Sequence, residues 1–354
     1  MRPSTSGTGD SAAELWNRAR ALLKDAEAAG IENPVIVGAI PFSKSASPEI
    51  FVPIAYNRDK VKRGTERTRK IIPVTNNNSH FQDHKFVSAV DEVLKQIADK
   101  KLDKAVLSRT LELRADLQGA GNAIVDRLLE LYPSAYNFYL PLGEDHYWLG
   151  ASPELLLRRK EACVESFPLA GSTARHRHAE QDREAAHALL ASHKDRSEHQ
   201  FVVDEIAHIL APVCEQVEVP NSPSLVPAGP LWHLGTPISA TLKTPYPSAM
   251  ELAARLHPTP AVCGYPTQTA WELIDRLEPH ARGLYAGMVG WTDAQGNGEW
   301  AVTIRCAQYL AGTLRLFAGA GIVADSSPTA EWQETNTKLS TLLQALGVTE
   351  EVCT

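Results

Sequence analysis

Cysteine is scarce and scattered. Cys163, Cys214, Cys263, Cys306 and Cys353 are odd in number and include no CxxC pair. That excludes a disulfide framework and a zinc site, and fits a reducing compartment. No run of about 18 apolar residues occurs, so no membrane-spanning helix is expected. The stretch Met1 to Ala13 is polar and lacks the apolar core of a secretory signal. Residues 1–10, rich in Ser, Thr and Gly, are expected to be disordered. A cytoplasmic location follows as an expectation. Positive charge is also in short supply: 35 Lys and Arg stand against 42 Asp and Glu, a net charge of -7, which argues against a general nucleic-acid binder. The basic stretch Arg58 to Lys70 is read as a solvated loop, because no aromatic residues interleave. There is no P-loop and no internal repeat. Gly319-Ala320-Gly321 lacks the third glycine and the early βαβ context of a dinucleotide fingerprint.

What is present is a 354-residue chain, 44% hydrophobic and 22% charged, enough for a large core. That length allows two domains or one large β-rich domain. Helical periodicity predicts helices over Ala12–Ala29, His84–Asp99, Asn122–Leu131 and a long one from about Glu180 to Leu210. Alternation and turn signals predict strands at Val35–Ile40, Phe51–Tyr56, Lys104–Leu113, Tyr136–Leu140, Tyr147–Gly150, Leu155–Arg159, Ala162–Phe167, Leu231–Ile238, Gly283–Trp291 and Gly298–Tyr309. Asn76-Asn77-Asn78 reads as a turn and His257–Gly264 as a shaped loop. By themselves these elements support a mixed α/β chain with many hairpin-like strands.

One stretch near the C-terminus organises the rest. The apolar segment Ala318-Gly319-Ala320-Gly321-Ile322-Val323 leads into a helix beginning at Pro328, where a missing N–H is harmless. Glu331, Glu334 and Lys338 fall on one face of that helix, and Leu339, Leu342, Leu343 and Leu346 continue it as a buried stripe. Two carboxylates beside glycines suit a hard cation such as Mg²⁺; a solvated face with an ordinary Glu334–Lys338 pair is the competing reading. Other residues carry similar pairs of readings. Lys104 opens a strand and alone means little. Glu154, at the Gly150–Glu154 turn, is either a general acid or a turn residue. Backbone N–H groups at Gly171-Ser172-Thr173 could receive a carboxylate. Glu198 shares a row with Val202 and Ile206, so it is either paired or metal-bound in the core, or marks the edge of the stripe. His233 is a general base or a core histidine. Arg305 interrupts an apolar run, as a carboxylate clamp or a structural ion pair.

Together the segments are more specific. Lys104-Ala105-Val106-Leu107-Ser108-Arg109, Ala151-Ser152-Pro153-Glu154-Leu155-Leu156, Pro168-Leu169-Ala170-Gly171-Ser172 and Lys194-Asp195-Arg196-Ser197-Glu198-His199 occur in that order. His257–Gly264, Val302–Cys306, Ala318–Val323 and Glu331–Lys338 follow. The series resembles the chorismate-utilising enzymes, the anthranilate synthase component I-like family of isochorismate, anthranilate, aminodeoxychorismate and salicylate synthases. The likeness is dense from Leu102 to Leu346 and loose before that. The loop His257-Pro258-Thr259-Pro260-Ala261-Val262-Cys263-Gly264 looks like the isochorismate-forming branch, of siderophore type. Thr173-Ala174-Arg175-His176-Arg177-His178 departs from the family, where many members have Arg-Gly.

The resemblance implies an α+β fold with two large facing antiparallel β-sheets, helices packed outside and an active site in the cleft between them. It implies residues 1–100 as an N-terminal β-rich part of that fold and 101–348 as the chorismate-binding catalytic region. It implies an Mg²⁺-dependent isomerase in which water adds at C2 of chorismate while the 4-hydroxyl leaves. Lys104 matches the general base, which must be neutral to take a proton, and Glu154 the general acid, which must hold one near neutral pH. Glu198 and Glu334 match metal ligands, with Glu331 acting through water. Gly171, Ser172, Ala261, Arg305, Gly319 and Lys338 match substrate positions. No membrane, nucleic acid or glutaminase partner is implied, and a monomer is expected. Salicylate synthase, an ammonia-using synthase and an inactive binding subunit are the competing readings.

Overall fold

Strand β4 (Lys104–Arg114) is the spine of the molecule. Eight consecutive residues from Lys104 to Leu111 are buried, so both faces of the strand are covered. The computed structural model describes residues 12–57, 75–76 and 83–348. Before β4 come α1 (Ala12–Ala28), β1 (Val35–Ile40), β2 (Glu49–Phe51), β3 (Thr75–Asn76) and α2 (Asp83–Ala98). After it come α3 (Gly121–Leu131), β5 (Tyr136–Gly143), β6 (His146–Ser152), β7 (Leu155–Lys160), β8 (Cys163–Phe167), β9 (Leu169–Ala174), α4 (Ala179–Ala191) and α5 (His193–Leu210). Then follow β10 (Cys214–Glu218), β11 (Ser224–Ala228), β12 (Leu231–Gly235), β13 (Ile238–Leu242), α6 (Ala249–Leu256), β14 (Gly264–Tyr265) and α7 (Thr267–Leu277). The chain closes with β15 (Met288–Asp293), β16 (Gly298–Val302), β17 (Cys306–Leu310), β18 (Thr313–Ile322) and α8 (Pro328–Leu346).

The α+β expectation holds. An eight-stranded sheet runs β10-β13-β8-β7-β16-β15-β1-β2, and a seven-stranded one runs β14-β4-β18-β17-β6-β5 with β3 also on β4. The pairings are antiparallel. Helices α2, α3 and α8 cover the seven-stranded sheet, and α1 and α6 cover the other. The C-terminal leucines of α8 pack with Leu111, Leu113 and Leu316, as the apolar stripe requires. A third sheet of three strands, β11-β12-β9, was not expected.

Several boundaries differ from the sequence reading, each for a local reason. The long helix is two: Ser192 takes an extended conformation (φ -64, ψ 118), and its side chain caps α5 by accepting from the Asp195 N–H. The strand through Leu231–Ile238 breaks at Thr236-Pro237, where proline offers no N–H to the ladder. Phe51 to Tyr56 is strand only at its first residue, and Gly283 to Trp291 only from Met288. Gly298 to Tyr309 is two strands in different sheets: the chain leaves the eight-stranded sheet after Val302 and enters the seven-stranded one at Cys306. Arg305 makes that crossing at a φ of 50, a left-handed backbone that costs a non-glycine residue about 1–3 kcal/mol. The disordered start, the basic stretch Arg58 to Lys70 and the turn residues Asn77 and Asn78 lie outside the described residues; Asn76 pairs with Leu113.

Candidate active site

The site grows from two glycines. On β18, Gly319 and Gly321 stand opposite Ser108 and Val106 of β4. A Cβ at Gly321 would sit 2.0 Å from Glu198 Oε1, and one at Gly319 would sit 2.6 Å from the Tyr285 hydroxyl. Gly321 therefore makes room for a side chain from α5 rather than for a ligand alone. Gly171 serves likewise on β9: at φ 76 it bulges between the pairs His233↔Ser172 and Leu234↔Ala170, and Asp195 of α5 passes 2.9 Å from where its Cβ would be.

These close approaches surround a partly open pocket, tightly filled by its own side chains. Nine of the eleven residues matched above line it: Glu154, Gly171, Ser172, Glu198, Ala261, Arg305, Gly319, Glu334 and Lys338. The other two stand one layer back. Lys104 is fully buried, its Nζ 3.1 Å from Glu198 Oε1, so the exposure usual for a strand-starting lysine does not apply. Glu331 is buried 2.6 Å from Lys194. The walls come from the seven-stranded and three-stranded sheets and from α5 and α8. The eight-stranded sheet contributes through the turn at Pro153-Glu154 and the crossing at Ile304-Arg305.

The electrostatics sort the carboxyls into two kinds. Burial pushes Glu154 up to about 8, against the Leu169 N–H that donates to it and against Lys104, Lys338 and Arg305. It holds its proton at neutral pH. Burial also opposes the charge on Glu334, yet Lys338 at 2.6 Å, with Lys194 beyond it, brings that carboxyl below its ordinary range. Glu331 goes the other way, raised by burial and by the Glu334 charge in spite of Lys194. Among the described residues no three acid, histidine or cysteine groups converge at metal-binding spacing. Each acid faces a lysine instead: Glu198 with Lys104, Glu331 with Lys194, Glu334 with Lys338.

Arg305 is buried, and burial lowers it to about 10. Its guanidinium lies 3.0 Å from His233 Nε2. Burial, then Arg305 and Lys338, hold His233 well below its ordinary value, so the neutral ring accepts from Arg305 and its other nitrogen donates to the Gly171 carbonyl. His233 is thus a buried histidine that orients the arginine, in keeping with the core reading. Lys338 Nζ also donates to the Gly319 carbonyl at 2.8 Å. Sequence reasoning gave no site role to Tyr285, Phe317, Val106 or Val262 in the walls, or to Lys194. The walls carry no sequence signal beyond apolarity. Lys194 could have been found, since it begins the Lys-Asp-Arg-Ser-Glu-His segment.

A buried acid kept protonated, two buried or half-buried cations and three lysine-paired carboxylates suit a small polyanionic substrate and proton transfer. Comparison with known proteins agrees. Residues 39–347 match the family of chorismate binding enzymes. The chain is 42% identical over 333 residues to isochorismate synthase EntC of Escherichia coli (strain K12), covering 93% of this chain and 85% of that one. It is 40% identical over 348 residues to isochorismate synthase DhbC of Bacillus subtilis (strain 168), covering 94% and 86%. Among solved structures, a 2,3-dihydroxybenzoate-specific isochorismate synthase, DhbC from Bacillus anthracis, superposes with a TM-score of 0.88 at 39% identity, covering 96% of this chain and 90% of that one. With most of its length matched and its site built from the residues the likeness picked out, the chain belongs to the chorismate-binding enzymes.

Proposed function

We propose that this chain is an isochorismate synthase: it moves a hydroxyl from C4 of chorismate to C2 by adding water at one carbon and losing it at the other. The observation that carries the reading is Glu154, a carboxylic acid held protonated near neutrality in the same cavity as Arg305 and Lys338. In this mechanism Lys104, in its neutral form, takes a proton from the water attacking C2. Glu154 gives one to the departing 4-hydroxyl, so that water leaves and the ring double bonds shift. Arg305 and Lys338 hold the carboxylates, and the backbone about Gly171 and Gly319, with Ser172 and Ala261, orients the ring.

The donor set also suits Mg²⁺: three acids of α5 and α8, in or beside the cavity, offer hard oxygens. Glu198, Glu334 and Glu331 would hold the ion, which when bound offsets carboxylate charge in the site. The catalytic region at 101–348 and the N-terminal part act as one fold. The solved structure named for 2,3-dihydroxybenzoate supports a place in siderophore assembly; a transcript unresponsive to iron starvation would count against that branch. A cytoplasmic monomer without a glutaminase partner completes the proposal. Among the described residues no helix is long and apolar enough to cross a membrane.

The test is incubation with chorismate and Mg²⁺, with and without ammonia, followed by product mass. Isochorismate is expected in both. Salicylate with pyruvate would make the chain a salicylate synthase, an aromatic amine would make it an ammonia-using synthase, and no turnover would leave a binding subunit. Light scattering tests the monomer.

A further inference from the structure

Outside the residues already given roles lies a second buried charge cluster, on the flank of β4 just beyond β14. Strand β14 is only two residues long and pairs with Lys104 and Ala105. One further ladder bond follows, from the Val106 N–H to the Cys263 carbonyl at 2.8 Å. Along a strand the N–H and C=O of one residue point to the same side, and alternate residues share that side. The Val106 carbonyl and the Ser108 N–H therefore face the flank where β14 has ended. Buried backbone groups left there would each cost a lost hydrogen bond.

Two side chains complete the ladder. Arg282 donates to the Val106 carbonyl at 2.7 Å, and Glu278 accepts from the Ser108 N–H at 2.6 Å and from its hydroxyl at 2.9 Å. Arg282 and Glu278 are themselves paired at 2.6 and 2.9 Å, each side chain 4% exposed. The same guanidinium donates to the Val262 carbonyl at 2.7 Å and lies 4.4 Å from the Phe42 ring and 5.7 Å from the Tyr285 ring. Val106, Val262 and Tyr285 all line the cavity.

The geometry points to Arg282 and Glu278 as positioning residues: a salt-bridged pair that stands in for an edge strand and fixes β4, with Lys104 at its head, against the Ala261-Val262 wall. Neither touches the substrate cavity. They act through the backbone they hold. The catalytic part of this inference rests on the isochorismate reading above.

The test is the double variant Glu278→Leu/Arg282→Met, which removes both charges at similar volume and so avoids a lone buried ion. The measurements are thermal unfolding, Ser108 amide exchange, and kcat and KM for chorismate on the full chain with Mg²⁺. The variant is expected to fold and to lose protection at Ser108. Its kcat should fall roughly 10- to 100-fold, with KM moving far less, because the reacting groups are displaced rather than removed. Glu278→Gln/Arg282→Met keeps an acceptor for Ser108 without leaving a lone buried cation and should retain protection there. A pair that merely stabilised the fold would lower the unfolding temperature and leave both kinetic constants alone, which would overturn the proposal. So would unchanged Ser108 protection in the double variant. Should that variant fail to fold, Arg282→Lys, whose three donors on one nitrogen cannot reproduce the four bonds of the guanidinium fork, must show the same fall in kcat; an unchanged kcat there would also overturn it. Absence of isomerisation by the wild-type chain sinks the isochorismate reading alone, since Ser108 protection still decides the ladder.

Discussion

Two buried charge clusters lie within a few residues of each other along β4, and they are built differently. In the Glu278–Arg282 cluster the arginine spends its donors on two carbonyls and a carboxylate, and the carboxylate is saturated by an amide, a hydroxyl and the arginine; the neighbouring His280, 3.1 Å from the Ser108 hydroxyl, alone of these side chains leaves a nitrogen, Nδ1, without a partner. In the cavity cluster, Lys104 Nζ is buried and lies 3.1 Å from Glu198 Oε1 without the alignment of a hydrogen bond. A saturated pair holds backbone in place. An unsaturated one carries bonding capacity that the fold does not use, at a cost of about 1–3 kcal/mol per orphaned group. Buried polar groups with capacity to spare are where a ligand is expected.

Removing members of the unsaturated cluster should therefore damage turnover far more than folding. Lys104→Ala and Glu154→Gln head the order: each should lower kcat by about 10²–10⁴-fold, with circular dichroism and unfolding temperature close to wild type. Near-normal rates in either variant would contradict the assigned roles. Gly321→Ala comes next. Its methyl would meet Glu198 Oε1 at 2.0 Å and displace the Lys104–Glu198 pair, for a loss of roughly 10²-fold. Gly143→Ala is the control: there a Cβ meets only His146 Cβ, at 3.8 Å, and activity should not change.

The contrast also explains what the sequence disclosed. Helix α8 was legible almost completely, because its signals are local: Ser327 caps it, Pro328 opens it, Gly347 ends it at φ 74, and its leucines keep helical spacing. The spacing of Glu331, Glu334 and Lys338 put them on one face without saying whether that face was wet. Their burial depends on β9 and α5, which arrive from far along the chain. Lys104 shows the same limit: nothing local distinguishes it from a surface lysine, and only the family resemblance lifted it out. The crossing at Arg305 was invisible. Trp300 to Cys306 contains no glycine or proline to mark a turn, and the left-handed arginine is held by its surroundings, His233 among them. The edge-strand role of Glu278 and Arg282 was equally hidden, since two residues four apart on a chain look like any i,i+4 pair.

Lys338→Met probes the boundary between the two kinds of cluster. The lysine is paired with Glu334, donates to Gly319 and is only partly buried, so its loss should spare the fold. If it holds a substrate carboxylate, KM for chorismate should rise by roughly tenfold or more while kcat falls less. An unchanged KM would reassign it to a structural pair.

The smallest effect is on stability, and it separates Glu154 from its neighbour Glu334. Its folded-state value of about 8 lies above the ordinary 4.5, the reverse of a salt-bridged carboxylate. Below the lower value both folded and unfolded chains carry the proton, and Glu154 contributes nothing to the pH dependence. Between the two values the unfolded chain ionises first and binds fewer protons, so stability falls as pH rises. Above the upper value both states are ionised and the penalty is constant. Glu154→Gln has no proton to lose. The unfolding temperature of Glu154→Gln relative to wild type should therefore climb from about pH 4.5 to about pH 8 and stay level on either side, by a few degrees once water penetration discounts the burial. Parallel profiles for the two proteins would mean that Glu154 is ionised in the cavity like its neighbour Glu334, and the proton donor would have to be sought elsewhere.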